Sequence, residues 1–166
     1  MHLIHAKYKI ISPSGETVQE QPELISNFLA QEGEQSILNV YLLGQTLPSL
    51  YLCLLSATPT ATTTMATMTE AQTPGSNGYN RQQILTTDWS TPLLNNGDYQ
   101  TNAATKTFGP ASGANWTNIS YAALVTTATG TAGKFIAAVA LQAPETVTIG
   151  NSIIYLLTTK AFSVPS

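Results

Sequence analysis

Charge is what this chain has least of: Asp, Glu, Lys and Arg make up 9% of its residues, against roughly a quarter in ordinary soluble proteins. A surface so poor in charge has little to hold neighbours apart, and it suits a protein packed against other subunits. The charge that is present is unevenly placed. Met1–Glu34 carries Glu16, Glu20, Glu23, Glu32 and Glu34 against Lys7 and Lys9. Everything after it balances Glu70, Asp88, Asp98 and Glu145 with Arg81, Lys106, Lys134 and Lys160. No basic cluster exists to neutralise phosphates, so nucleic acid is not an expected partner.

Histidine is almost as scarce, with only His2 and His5. Acid–base catalysis near neutral pH needs a positioned titratable group, and any Ser/His/Asp or Cys/His arrangement would have to borrow one from the first five residues. No catalytic residue and no enzyme activity are expected. His2 and His5, three apart, could share a metal only on a helix, and no third ligand is near. Asn95–Asp98 lacks the further acids of a calcium loop, and no phosphate-binding glycine loop is present. No metal or cofactor is expected. The lone cysteine, Cys53, excludes a disulfide framework and, inside Leu50–Leu55, reads as a small buried hydrophobe. No apolar run is long enough to cross a bilayer, and the first residues lack the apolar core of a secretory signal, so a cytosolically made protein without membrane contact is expected.

What the chain does have is a succession of short apolar runs separated by Gly, Pro, Asn and Thr. The most informative stretch is Lys106–Leu141. In it Ile119, Tyr121, Ala123 and Val125 alternate with Ser120, Ala122 and Leu124, and Phe135, Ala137, Val139 and Leu141 alternate with Ile136, Ala138 and Ala140. The turn Ala128–Gly133 between them offers two glycines for a chain reversal. A central hairpin covered on both faces follows. Leu50–Leu55 is apolar throughout and bounded by Pro48 and Pro59, the mark of a strand buried on both faces. Asn95-Asn-Gly-Asp98 signals a tight hairpin turn, and Pro144–Ile149, Ile153–Leu157 and Ala161–Val164 add further strands. Strands at this spacing predict an antiparallel β-sandwich of jelly-roll-like kind over residues 36–166.

Residues 1–35 read differently, as an acidic N-terminal arm. Pro22–Glu32 has an early Pro, an acid near its start and Gly33 after its last turn, which predicts a short amphipathic helix. Its stripe of Leu24, Ile25, Phe28 and Leu29 needs a surface to dock on, either its own sandwich or a partner. A second short helix is predicted over Ser36–Gly44, with Ile37, Leu38, Tyr41 and Leu42 at helical spacing. Ala57–Thr73 is a low-complexity Thr/Ala/Met loop without periodicity; such loops serve as contact elements. The arm stripe, together with Met65 and Met68 in this loop, is the expected interface. Glu70 and Arg81 flank the loop with few charges to compete, and an ion pair pinning its ends is expected.

Several pieces, in order, resemble a family of tailed-phage virion proteins. They are the helix ending in Gly44, Leu50–Leu55 followed by Ser-Ala-Thr-Pro, Thr69-Glu70, Gly78-Tyr-Asn-Arg-Gln, Trp89, Asn102, Phe108-Gly-Pro-Ala, Trp116–Ala122, Thr129-Gly130 and Thr146–Gly150. The resemblance implies a small β-rich virion block, assembled in the host cytoplasm and without catalytic residues. With the arm it leads to an expected capsid cement or decoration protein, bound across major capsid protein or other virion subunits and itself a homo-oligomer. The alternatives are a tail or fibre module that binds a host receptor or glycan, and a tail-tube or tail-terminator subunit. The chain has no repeat or heptad of the kind that builds a fibre shaft.

Overall fold

The computed structural model describes residues 4–21, 27–95 and 98–160. Among them are eleven strands, one α-helix and a single 3-10 turn. In chain order they are β1 (Ile4–Ile11), β2 (Thr17–Gln21), β3 (Asn27–Leu29), α1 (Gln31–Leu43), β4 (Leu50–Leu55), β5 (Gln82–Ile84), the 3-10 turn (Thr86–Asp88), β6 (Leu93–Asn95), β7 (Asp98–Asn102), β8 (Lys106–Phe108), β9 (Trp116–Val125), β10 (Phe135–Val147) and β11 (Ser152–Lys160). Every strand pairing is antiparallel. One sheet runs β2-β1-β11-β7-β6, with β8 also on β11, and the other runs β3-β10-β9-β4-β5.

β4 explains why the second sheet is the middle layer of the molecule. Its side chains alternate as a strand requires: Leu52 and Leu54 enter the main core, while Cys53 and Leu55 enter a second core on the opposite face. The main core lies between the sheets. Tyr8, Ile10, Phe108, Ile153 and Tyr155 come to it from the first sheet, and Leu52, Leu54, Ala122, Leu124, Ala137 and Val139 from the second. The second core joins Cys53, Leu55, Ala123, Val125, Phe135 and Ala138 to Ala30 and Met65. A sheet covered on both faces has no use for polar residues, hence the unbroken apolar run of β4.

The β9–β10 hairpin forms where the sequence places it, but its two faces are not strictly alternating. Register shifts between Phe135 and Ala137 and between Ala140 and Glu145 insert extra residues into β10. Phe135 is thereby turned to the second core while Ala137 and Val139 stay in the main one, and Ile119 joins Ala122 and Leu124. A bulge moves every later side chain to the other face, which a period-2 pattern cannot anticipate.

The N-terminal region differs most from expectation. Within Met1–Gln35, the stretch expected as an arm, β1 pairs with β11 along its whole length and with β2, and β3 pairs with β10. The helix expected over Pro22–Glu32 is not formed over Asn27–Leu29, which is the strand β3, and Gln31 and Glu32 open α1 instead. Phe28 packs toward the second core and Leu29 toward the main core, so opposite faces of one strand are used where a single helical stripe was expected. Pro22–Ser26, with Leu24 and Ile25, lie outside the described residues, as do the side chains of His2 and His5 and the strand expected over Ala161–Val164.

Gly33 does not stop a helix; it lies inside the first turn of α1. The helix expected from Ser36 therefore begins at Gln31 and ends at Gly44, whose φ of 64° lets its N–H reach the carbonyl of Asn39. Three bonds seat the helix start. The Ala30 N–H donates to Ile136 O, the Gln31 N–H donates to Ala61 O, and Glu32 Oε2 accepts from the Phe135 N–H at 2.8 Å.

Candidate functional site

The Thr-rich segment 57–73 is ordered by its own hydroxyls. Thr63 Oγ1 accepts from the Thr60 N–H at 2.7 Å and Thr67 Oγ1 from the Thr64 N–H at 2.9 Å, local turns that give the backbone partners without a sheet. The segment folds over β4 and drops Met65 into the second core, leaving it 2% exposed. Met68 is half-buried against the same cluster, and Phe28 stacks on Phe135 at 6.4 Å.

The return of this segment carries Glu70 and Arg81 into contact. Arg81 donates from Nε to Glu70 Oε1 at 3.0 Å and from Nη2 to Oε2 at 2.6 Å, a bidentate fork. The guanidinium also donates to the carbonyls of Thr127 and Gly130 in the β9–β10 turn. Tyr79 donates to Glu70 Oε1 and accepts from the Leu54 N–H. Burial works against the Arg81 charge, but the Glu70 hydrogen bonds and charge outweigh it and hold its pKa above the ordinary value. Four chain segments meet at this one ion pair.

A second buried acid lies at the seam of the sheets. Glu145 accepts from the Tyr8 hydroxyl and from Gln19 Nε2, tying β10 to β1 and β2. Burial first, then the hydrogen bond to Glu145 and its charge, push the Tyr8 phenol far up. Among the described residues no group of three His, Cys, Asp or Glu side chains is placed to hold a metal. No helix among them is long and apolar enough to cross a membrane.

The surface feature that stands out is at the C-terminal half of α1. The helix rests on β10 through its small residues, Gly33 and Ser36, which are its buried positions. Leu38, Tyr41 and Leu42 face away, at 54%, 85% and 66% exposed, while Ile37 and Val40 are half-buried. Of the residues read from the sequence at helical spacing, Leu38, Tyr41 and Leu42 are thus turned outward. Beside it opens a groove of about 370 Å³, walled by Ile37, Val40 and Tyr41 of α1, Leu47 and Pro48 of the linker, and Thr101 of β7, with Leu50, Trp89, Leu124 and Ile136 also lining it. None of these residues is charged. Tyr99 lies two residues before Thr101 on the same face of β7, and Leu94 is directly opposite Tyr99 in β6. Both are exposed, so the β6–β7 hairpin extends the apolar wall beyond the groove.

Of the residues the sequence singled out, Glu70 and Arg81 are brought together, Phe28, Met65 and Met68 gather at the second core, and Leu29 packs on the main core. Tyr79 and Trp116 are buried with their rings 5.6 Å apart, and Trp116 Nε1 donates to Asn77 O. The groove was missed because Leu47, Trp89 and Thr101 are far apart in sequence. The signal that could have found part of it was the helix itself, whose small residues Gly33 and Ser36 are three apart and define an alternative docking face.

The described chain is mainly β, with a single helix and an exposed apolar stripe on it. Residues 26–161 match the sequence profile of the family described as Podophage GP4 fiber I protein gp80, and the chain belongs to that family of tailed-phage virion structural proteins. No curated protein matches the chain.

Proposed function

We propose that the chain is a non-enzymatic subunit of the phage fibre apparatus, a β-sandwich that attaches to neighbouring virion proteins through the apolar end formed by the C-terminal half of α1, the uncharged groove and the β6–β7 hairpin. The observation that carries the contact role is the outward stripe of Leu38, Tyr41 and Leu42. An exposed patch of this kind marks an interaction surface in a protein that remains folded and dispersed. The fibre location is supported by the family description, which fits a tail or fibre part better than the capsid cement expected from sequence. The Glu70–Arg81 pair serves this role indirectly, by pinning the 57–73 segment and the β9–β10 turn to β4.

Immunogold labelling of intact particles tests the location. Label confined to the tail or fibres is the expected result. Label spread over the head would overturn the fibre reading and restore head decoration.

A further inference from the structure

We propose that the apolar end of the chain is the interface between two copies of itself; this deepens the contact role proposed above and rests on it. The first ground is the orientation of α1. A helix with an apolar stripe normally buries that stripe, yet here the intramolecular contact is made by Gly33 and Ser36 and the stripe is left without a partner. The pattern is one for burial, and the chain itself does not supply it.

The second ground is charge. No residue lining the groove is charged, and α1 carries none after Glu34. A partner selected by electrostatic complementarity would need charges to read. A second copy of the same face needs none, and the groove and helix stripe that it would meet bring no like charge.

The third ground is shape. Tyr41 projects from the rim of the groove that opens beside it, so one face carries both a knob and a hole. An isologous pair requires this, since residue i of one copy meets residue j of the other and the reverse. The hole is large enough: an apolar cavity of roughly 150 Å³ takes up a benzene ring, and the groove measures about 370 Å³. In the paired form each Tyr41 ring enters the other copy's groove and dries Trp89. An interface of standard size takes about 800 Å² from each partner, and Leu38, Tyr41, Leu42, Leu47, Leu94 and Tyr99, each more than half exposed, are the side chains that would supply it.

The test uses the purified full chain in sedimentation and light scattering over a wide concentration range. The wild type is expected to be a dimer that dissociates on dilution, with tryptophan emission moving to the red as Trp89 becomes wet. Tyr41→Asp and Leu42→Asp should weaken pairing at least about 100-fold and keep the melting temperature of the dilute wild type, because both positions are exposed. Val18→Asp, on β2 at the edge of the first sheet farthest from β6 and β7, should remain dimeric. A wild type that is monomeric at every concentration, or an assembly that survives both helix substitutions, overturns the proposal. Binding to particles stripped of this subunit separates it from the reading beneath it. A monomeric wild type that binds while Tyr41→Asp does not sinks self-pairing alone; equal binding of the two sinks the contact role as well.

Discussion

A Cβ placed on Gly33 would stand 2.1 Å from the carbonyl oxygen of Ile136, so α1 can lie on β10 at this distance only with glycine there. The obstacle is backbone, which cannot swing aside as a side chain could. Gly33→Ala is expected to lower stability by about 1–3 kcal/mol through overpacking, despite the roughly 1 kcal/mol that alanine gains in a helix interior. Urea unfolding measures it. An unchanged or higher midpoint would mean that the helix does not rest on the strand.

Removing one member of the Glu70–Arg81 pair leaves the other buried and uncompensated, and Arg81 also abandons the Thr127 and Gly130 carbonyls. Arg81→Ala should cost about 3–5 kcal/mol, while the joint replacement Glu70→Leu with Arg81→Met should cost well below the sum of its parts. A double-mutant cycle by thermal or denaturant unfolding reads the difference. Additive losses would remove the pinning role.

Cys53 is fully buried, and burial, then the negative charge of Glu70, push its thiol far up, so it stays protonated and inert. Its labelling by a thiol reagent at mildly alkaline pH should proceed only at the rate of global unfolding. Rapid labelling of the folded protein would show that the 57–73 segment and Met65 lift away from β4.

Asp88 titrates in the opposite sense. The Lys106 hydrogen bond first, then the Leu85 N–H, hold its pKa below the ordinary 3.8. A carboxyl depressed on folding contributes stability that is present above its unfolded value and is lost as pH falls through the folded one. Lys106→Met should therefore be less stable than the wild type near neutrality, and the gap should close in acid below the normal Asp range. A gap that persists there would assign the effect to packing of the lysine stem.

Much of the scaffold was legible because burial on two faces leaves an unmistakable composition: Leu50–Leu55 could hardly be anything but an inner strand. Scarcity of charge likewise drew attention to Glu70 and Arg81. Three things were not legible. Phe28 and Leu29 are adjacent apolar residues that suit a helix stripe or a strand serving two cores, and only the pairing with β10 decides. The bulges of β10 leave no period in sequence. The orientation of α1 was hidden because helical spacing of Ile37, Leu38, Tyr41 and Leu42 does not say which face docks, and only the close approach at Gly33 shows it.

The pairing of β1 with β11 sets a condition on how the molecule is made. Ile11 finds its partner at Ser152, about 140 residues later, and Ile4 is opposite Thr159. Until β11 emerges during synthesis, Tyr8 and Ile10 have a sheet neighbour on one side only. Closure of the first sheet is thus a late event with a long loop to gather, the circumstance in which β proteins fold slowly. A ribosome paused before Ser152 would hold an incomplete sheet with its inner edge open, and such a nascent chain is the form most exposed to chaperones and to strand exchange with a neighbouring copy.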